Sequence, residues 1–377
     1  MRYTTRLFSG ALLAFVMTSC SAPPAAPPIH SADDTSGNGD SLPTGEHDPA
    51  PEPTPGPVTN PITQMPSPTP GPAPLSGQSP MPMPAPAPTP TPVVISNDGD
   101  GRFEVGPNYK DDEATKSRGA MKGTWKEFTM NGSDSVVFKG NYTRKVRVYF
   151  PPDFKKEVEY PFMIAMDANF WLDPLKTTLD NLIVDNKVPA MIGVYVDNGG
   201  GDSRGSQRGL EYDTVGPNNA KFLETEVMAR IEKDYAVKFT KDPEGGGLFG
   251  GSSSGVAAFT AAWFAPQRFR KVLAYSATFT AQGADKTYPE GGFEYQKHII
   301  KESGLKPIRV SLEAGQNDNK FFNDTLVANE DTFKELKAKG NHVRFHYGKS
   351  AGHVDGGVMR QTIAENLIWL WRDYPRK

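Results

Sequence analysis

Cysteine is almost missing from this 377-residue chain: the single one, Cys20, rules out an intramolecular disulfide and argues against a cysteine-based metal site. Runs rich in Lys and Arg are missing too. With a formal net charge of -3, nothing forms the basic stripe that nucleic-acid binding needs, so nucleic acid is not an expected partner. No apolar run is long enough to span a bilayer; the stretch Leu7 to Met17 near the N-terminus falls well short. No helical pair of histidines stands at metal-ligand spacing, which leaves a metal hydrolase based on Asp197 and Asp202 without its usual signature, and no cofactor is expected. Proline is ordinary in the last three quarters of the chain but dense before it, with 23 of 35 prolines between Ser21 and Asn97. The composition therefore divides the chain in two.

Arg2 and Arg6 precede the apolar stretch, and small polar residues then lead to Cys20, the layout of a secretory signal peptide over residues 1–19. The string M-T-S-C resembles a bacterial lipobox. That resemblance implies a lipidated Cys20, a membrane-anchored lipoprotein and an extracytoplasmic location. Residues 20–97 are largely Pro, Ala, Thr, Ser and Gly, too poor in apolar area to offset the entropy of ordering, and are expected to form a disordered tether. At about 3.1 Å per residue in a polyproline helix, such a tether reaches on the order of 200 Å. Its P-x-P runs also fit a ligand for a proline-binding module, but a long run without a distinctive repeat suits a spacer better.

Residues 98–377 are the expected folded domain. Lys145 to Phe150 alternates in polarity and predicts an early strand near a sheet edge. Pro161 to Met166 and Val188 to Val196 are nearly continuous apolar runs, as in strands covered on both faces. Further strands are expected at Leu248 to Gly250, Lys271 to Ser276, Ile308 to Glu313 and His342 to Tyr347. Helical spacing links Phe222, Leu223, Val227, Ile231 and Tyr235, and again Met359, Ile363, Leu367 and Leu370. Strands alternating with helices predict a single α/β domain with a mainly parallel sheet flanked by helices.

Within L-F-G-G-S-S-S-G, only Gly251, Ser253 and Gly255 fit G-x-S-x-G, the strand-to-helix elbow that presents a nucleophilic serine in α/β-hydrolases. Ser253 is the nucleophile candidate in this frame. The fold supplies its partners in the order Ser, acid, His. Among His298, His342, His346 and His353, the last sits in S-A-G-H-V-D-G-G, a glycine-flanked loop after the final strand, and is the candidate base. Asp318, in A-G-Q-N-D-N at a strand's carboxyl end, is preferred as the acid over Glu313 and Asp324. An oxyanion hole needs two preorganised donors, each worth about 3 kcal/mol at the transition state. In this frame they are the N–H of Ser254 and that of Ala168 or Asn169 in D-A-N-F-W.

These strings, together with A-F-T-A-A-W, F-R-K-V-L-A-Y-S-A-T-F-T, R-G-L-E-Y-D and L-I-W-L-W-R-D-Y, resemble the enterochelin-esterase-like hydrolases related to carbohydrate esterase family 1 and esterase D. The resemblance covers nearly all of residues 99–377 and implies an α/β-hydrolase fold with Ser253, Asp318 and His353 as triad. Ala168 stands where such families usually carry Gly, and Ser254-Gly255-Val256 replaces a common S-S-G-G. Arg208, Glu211 and Tyr212 are candidate substrate contacts, with an ion-paired structural loop as the alternative.

The expected activity is hydrolysis of a carboxylic ester through an acyl-enzyme. Carbohydrate-linked acyl groups and siderophore-type esters both suit it, as does acyl transfer to a sugar. A surface-tethered, non-catalytic module that binds polysaccharide or a protein partner is the rival of another class. The sequence leaves the substrate and the oligomeric state open.

Overall fold

The structure, a computed structural model, describes residues 99–202 and 204–376. The expected leader, Cys20 and the tether lie outside the described residues. Among the described residues no helix is long and apolar enough to cross a membrane.

In chain order the strands and helices are β1 (Gly101–Val105), β2 (Thr124–Asn131), β3 (Thr143–Phe150), β4 (Glu159–Tyr160), β5 (Phe162–Met166), α1 (Ala168–Val184) and β6 (Ile192–Val196). Next come α2 (Gln207–Tyr212), α3 (Asn218–Phe222), α4 (Ala229–Tyr235), β7 (Lys238–Phe239), β8 (Gly246–Gly251) and α5 (Ser253–Phe264). The last are β9 (Lys271–Tyr275), α6 (Ile300–Glu302), β10 (Arg309–Gly315), α7 (Thr325–Lys339), β11 (His342–Gly348) and α8 (Gly356–Trp371). A π turn, Leu223–Met228, joins α3 to α4.

Nine strands form one sheet in the order β1-β11-β10-β9-β8-β5-β6-β3-β2, and β4 pairs with β7. Neighbours from β1 to β6 are parallel, whereas β3 runs antiparallel to both β6 and β2. The inner parallel strands β5, β6, β8, β9 and β10 are fully buried because helices cover both faces. Strand alternation sorts the side chains: Phe162, Ile164 and Met166 of β5 join the core under α5 and α7, while Met163 and Ala165 join the core under α1 and α8.

Three expectations change in detail. The strand of Lys145 to Phe150 lies one place in from the edge, because β2 covers it. That edge strand and β1 escape the sequence pattern, since each is only half buried and carries no continuous apolar run. The run from Val188 becomes a strand only at Ile192, after Pro189 and Ala190.

The placement of β5 beside β8 decides where the site lies. The chain leaves β5 toward β6 and later returns to β8 on the other side, which makes the crevice at the carboxyl ends of this pair the topological switch point.

Candidate active site

The strand β8 ends in Gly251, and Ser252 then turns the chain into α5 with φ 58° and ψ -129°. Such a conformation is strained for a residue with a side chain and is the elbow geometry that lifts a hydroxyl above a sheet end. Crowding explains the glycines around it. A Cβ on Gly250 would lie 2.1 Å from the carbonyl oxygen of Ser254, and one on Gly255 would lie 3.1 Å from Ala277.

His353 meets Ser252 and not Ser253, which corrects the frame read from the sequence. Its Nε2 is 2.9 Å from Ser252 Oγ, and its Nδ1 is 2.6 Å from Asp318 Oδ1. Ser252 is partly exposed. Ser253 is 0% exposed, and its Oγ accepts from Arg208 Nη1 (3.1 Å) and Gln282 Nε2 (3.0 Å), so no substrate can reach it. The strict pattern requires glycine two residues after the nucleophile. Here Ser254 fills that position by folding its hydroxyl back on the strand end, accepting from Gly251 N–H (3.0 Å) and donating to Gly251 O (2.7 Å). Ser254 is therefore one position too far along to be the first oxyanion donor.

Asp318 is held for its contact with His353. Its Oδ2 accepts from Gly315 N–H (3.2 Å) and its Oδ1 from Asn319 N–H (2.8 Å). Behind His353, Val354 N–H donates to Ser276 Oγ (2.8 Å), which ties the histidine loop to the end of β9. Four non-glycine residues around this constellation share left-handed φ values: Asp167 (56°), Ser252 (58°), Ser276 (47°) and Val354 (49°). The other acid candidates lie elsewhere. Asp324 caps α7. Glu313 sits fully buried in β10 with neither carboxylate oxygen hydrogen-bonded, and burial, then the nearby charges of Asp318 and Asp355, push its carboxyl well above the ordinary range.

Ala168, buried, opens α1 directly after β5, and Asn169 beside it is exposed. The first N–H groups of α1 and α5 have no intrahelical partner, so both helices aim free donors at the switch-point crevice. Phe170 follows in the first turn of α1, and Phe321 and Phe322 follow Asp318; all three are exposed. A depression of about 330 Å³ on the β6 and β3 side is lined by Asn169, Asn198, Asp197, Arg144 and Lys145.

The stretch Arg208, Glu211 and Tyr212, read as candidate substrate contacts, turns inward on α2 and matches the ion-paired alternative. Glu211 pairs with Arg144 Nη1 at 2.8 Å, both side chains almost wholly buried. Tyr212 OH accepts from Asp167 N–H at 3.3 Å, and burial, then the charges of Asp167 and Glu211, raise its phenol well above the usual value. Arg208 Nε and Nη2 donate to Asp167 Oδ2 at 2.9 and 2.7 Å. Asp197 pairs with Arg147 (3.0 Å), and Asp202 stands 3.6 Å from Arg208. Among the described residues the group able to share a metal ion is Glu290, Glu294 and His298, on the surface and with Glu290 already paired to Lys297.

A hydroxyl facing an imidazole that a carboxylate orients, beside two free backbone donors, has the parts for acyl transfer. The fold is similar to that of the enterobactin esterase FES from Shigella flexneri, at 20% identity and a TM-score of 0.52, covering 66% of this chain and 59% of that one. The chain thus spans about three fifths of that esterase's length. It is also similar to a ferulic acid esterase (19% identity, TM-score 0.53, 68% of this chain and 100% of that one). A third likeness is to the CE1 ferulic acid esterase of the anaerobic fungus Anaeromyces mucronatus (18% identity, TM-score 0.53, 74% and 97%). No curated protein matches. The Esterase family model matches residues 139–362, over half of the chain, so this α/β-hydrolase-fold protein belongs to the Esterase family.

Proposed function

We propose that the chain is a serine esterase with Ser252 as nucleophile, His353 as base and Asp318 as the acid that orients it. The observation that carries this reading is the pair of contacts on one imidazole, 2.9 Å to Ser252 Oγ and 2.6 Å to Asp318 Oδ1, at a serine in elbow geometry. With Nδ1–H donated to Asp318, Nε2 is free to take the Ser252 proton as Oγ attacks the ester carbonyl carbon. The resulting oxyanion is held by the N–H groups of Ser253 and Ala168, at the N-termini of α5 and α1. Collapse expels the alcohol, which takes its proton from the imidazolium. Water then attacks the acyl-enzyme by the same route and releases the acid.

The exposed Phe170, Phe321 and Phe322 support an ester with an apolar acyl portion, and the polar depression at Asn169 and Asn198 supports a hydroxyl-rich alcohol. Carbohydrate-linked acyl groups and siderophore-type esters both meet that description. We place the enzyme outside the cytoplasm, anchored through a lipidated Cys20; Cys20→Ala should release it from the detergent-extracted membrane fraction into the soluble one, and retention in the membrane would contradict the anchor. A reactive p-nitrophenyl alkylphosphonate tests the nucleophile. Mass spectrometry of the digested full chain should find the adduct on Ser252; an adduct on Ser253, or none under conditions where ester turnover continues, would refute the assignment.

A further inference from the structure

We propose that Arg208 is a positioning residue that sets the spacing of the two oxyanion donors, clamping the turn before α1 to the first turn of α5. This rests on the reading of Ser252 as nucleophile, which places those donors at Ala168 and Ser253.

The two donors belong to different helices, and nothing in helix geometry fixes one relative to the other. The sheet alone brings them near each other, because β5 and β8 are neighbours. Arg208 spans the gap from α2. Its Nε and Nη2 hold Asp167, the residue before Ala168, and its Nη1 holds the Ser253 hydroxyl at 3.1 Å. The same Nη1 also donates to the Asp202 carbonyl, which ties the loop before α2 into the bridge. One planar, rigid guanidinium thus joins both sides of the hole.

Its partners are fixed in turn. Asp167 is fully buried in a left-handed conformation, its Oδ1 accepts from Asn198 Nδ2 (2.6 Å), and its N–H is taken by Tyr212. On the other side Gln282 Nε2 donates to both Ser253 Oγ (3.0 Å) and Asp213 Oδ2 (2.8 Å). Asp167 is thereby held at its backbone and at both carboxylate oxygens, and Ser253 at its hydroxyl by two donors. Such restraint exceeds what an ion pair alone needs. Lysine offers a point charge without the fork, so it could neutralise Asp167 but could not hold both partners in register. Displacing a reacting group by about 1 Å costs on the order of 10²-fold in rate.

The test uses the full chain with Arg208→Lys, which keeps the buried charge paired, and Arg208→Ala, assayed with and without added guanidinium ion at non-denaturing concentration. For p-nitrophenyl butyrate, Arg208→Lys should lower kcat by about 10²-fold, the worth of one oxyanion donor, with KM within about twofold. Inhibition by phenylboronic acid, whose boron takes Ser252 Oγ to form a tetrahedral adduct, should weaken in similar proportion, and guanidinium should restore part of the Arg208→Ala rate. A kcat within about threefold of wild type in Arg208→Lys would overturn the proposal. So would a kcat loss without weaker boronate binding, which marks a merely structural role. Failure of the Ser252 reading shows separately, in the phosphonate adduct of the unmutated protein.

Discussion

Replacing Ser252 and Ser253 separately by alanine separates the frame the structure supports from the one the strict sequence pattern selects. Ser252→Ala removes the hydroxyl that faces His353 Nε2, so kcat should fall toward the roughly 10⁶-fold loss of a triad nucleophile, about 8 kcal/mol of barrier. Ser253→Ala keeps the backbone N–H but removes an acceptor. Of its two donors, Arg208 Nη1 retains the Asp202 carbonyl and Gln282 Nε2 retains Asp213 Oδ2, so neither group is orphaned. The stability loss should therefore stay near the lower end of the 1–3 kcal/mol expected for an unsatisfied buried group, a fall in Tm of about 2–4 °C. The clamp loses one of its ends, so kcat should drop, but by no more than about 10²-fold. Steady-state hydrolysis of p-nitrophenyl acetate, with calorimetric Tm for both variants, reads these numbers. A Ser253→Ala enzyme as dead as Ser252→Ala, with its Tm intact, would refute the reasoning.

Two further predictions concern buried charge. Burial, then the charges of Asp318 and Asp355, raise the Glu313 carboxyl well above its range in the unfolded chain, so the fold keeps this proton to higher pH and wild-type stability falls, as pH rises through the ordinary carboxylate range and above it, by up to about 1.4 kcal/mol per pH unit from this group. The Tm of Glu313→Gln minus that of wild type should therefore climb as pH rises from 4 to 8; a flat difference would mean that Glu313 ionises in the folded protein. Breaking the pair between Arg144 and Glu211 with Arg144→Met should cost about 3–5 kcal/mol by leaving a buried carboxylate without its counter-charge, held by the Gly199 N–H and Gln207 Nε2, and adding Glu211→Leu should recover part of it. Denaturant unfolding of both variants beside wild type checks this, and an Arg144→Met variant no less stable than wild type would contradict it.

The central strands could be read from sequence because burial on both faces writes them as continuous apolar runs, as in Pro161 to Met166. Edge strands β1 and β2 could not, since half-exposed strands share their residues with loops. Loop position alone brings out Asp318 and His353, which the fold puts in contact. Ser252 stayed hidden for a steric reason. Pattern matching asks for glycine two residues after the nucleophile, whereas the space there also admits a serine whose hydroxyl folds back on Gly251. The tightest requirement falls on Gly250, and a reading that weighed which glycine the elbow cannot lose would have favoured the earlier frame. The inward turn of Arg208, Glu211 and Tyr212 depends on Asp167 and Arg144, which are distant in sequence and joined only by the fold.

The left-handed residues around the site bear on how this enzyme would change under selection or in the laboratory. Each of Asp167, Ser252, Ser276 and Val354 holds a conformation disfavoured by roughly 1–2 kcal/mol for a residue with a side chain, so together they set several kcal/mol against folding. Valine, branched at Cβ, is the residue type among them least suited to a positive φ. A screen for heat resistance alone would find glycine at Val354 among its easiest gains, and in relaxing the loop it would loosen the histidine that Val354 anchors. Durability and turnover are therefore traded against each other at this position, and a screen that also demands ester turnover should leave it untouched while improving the protein elsewhere.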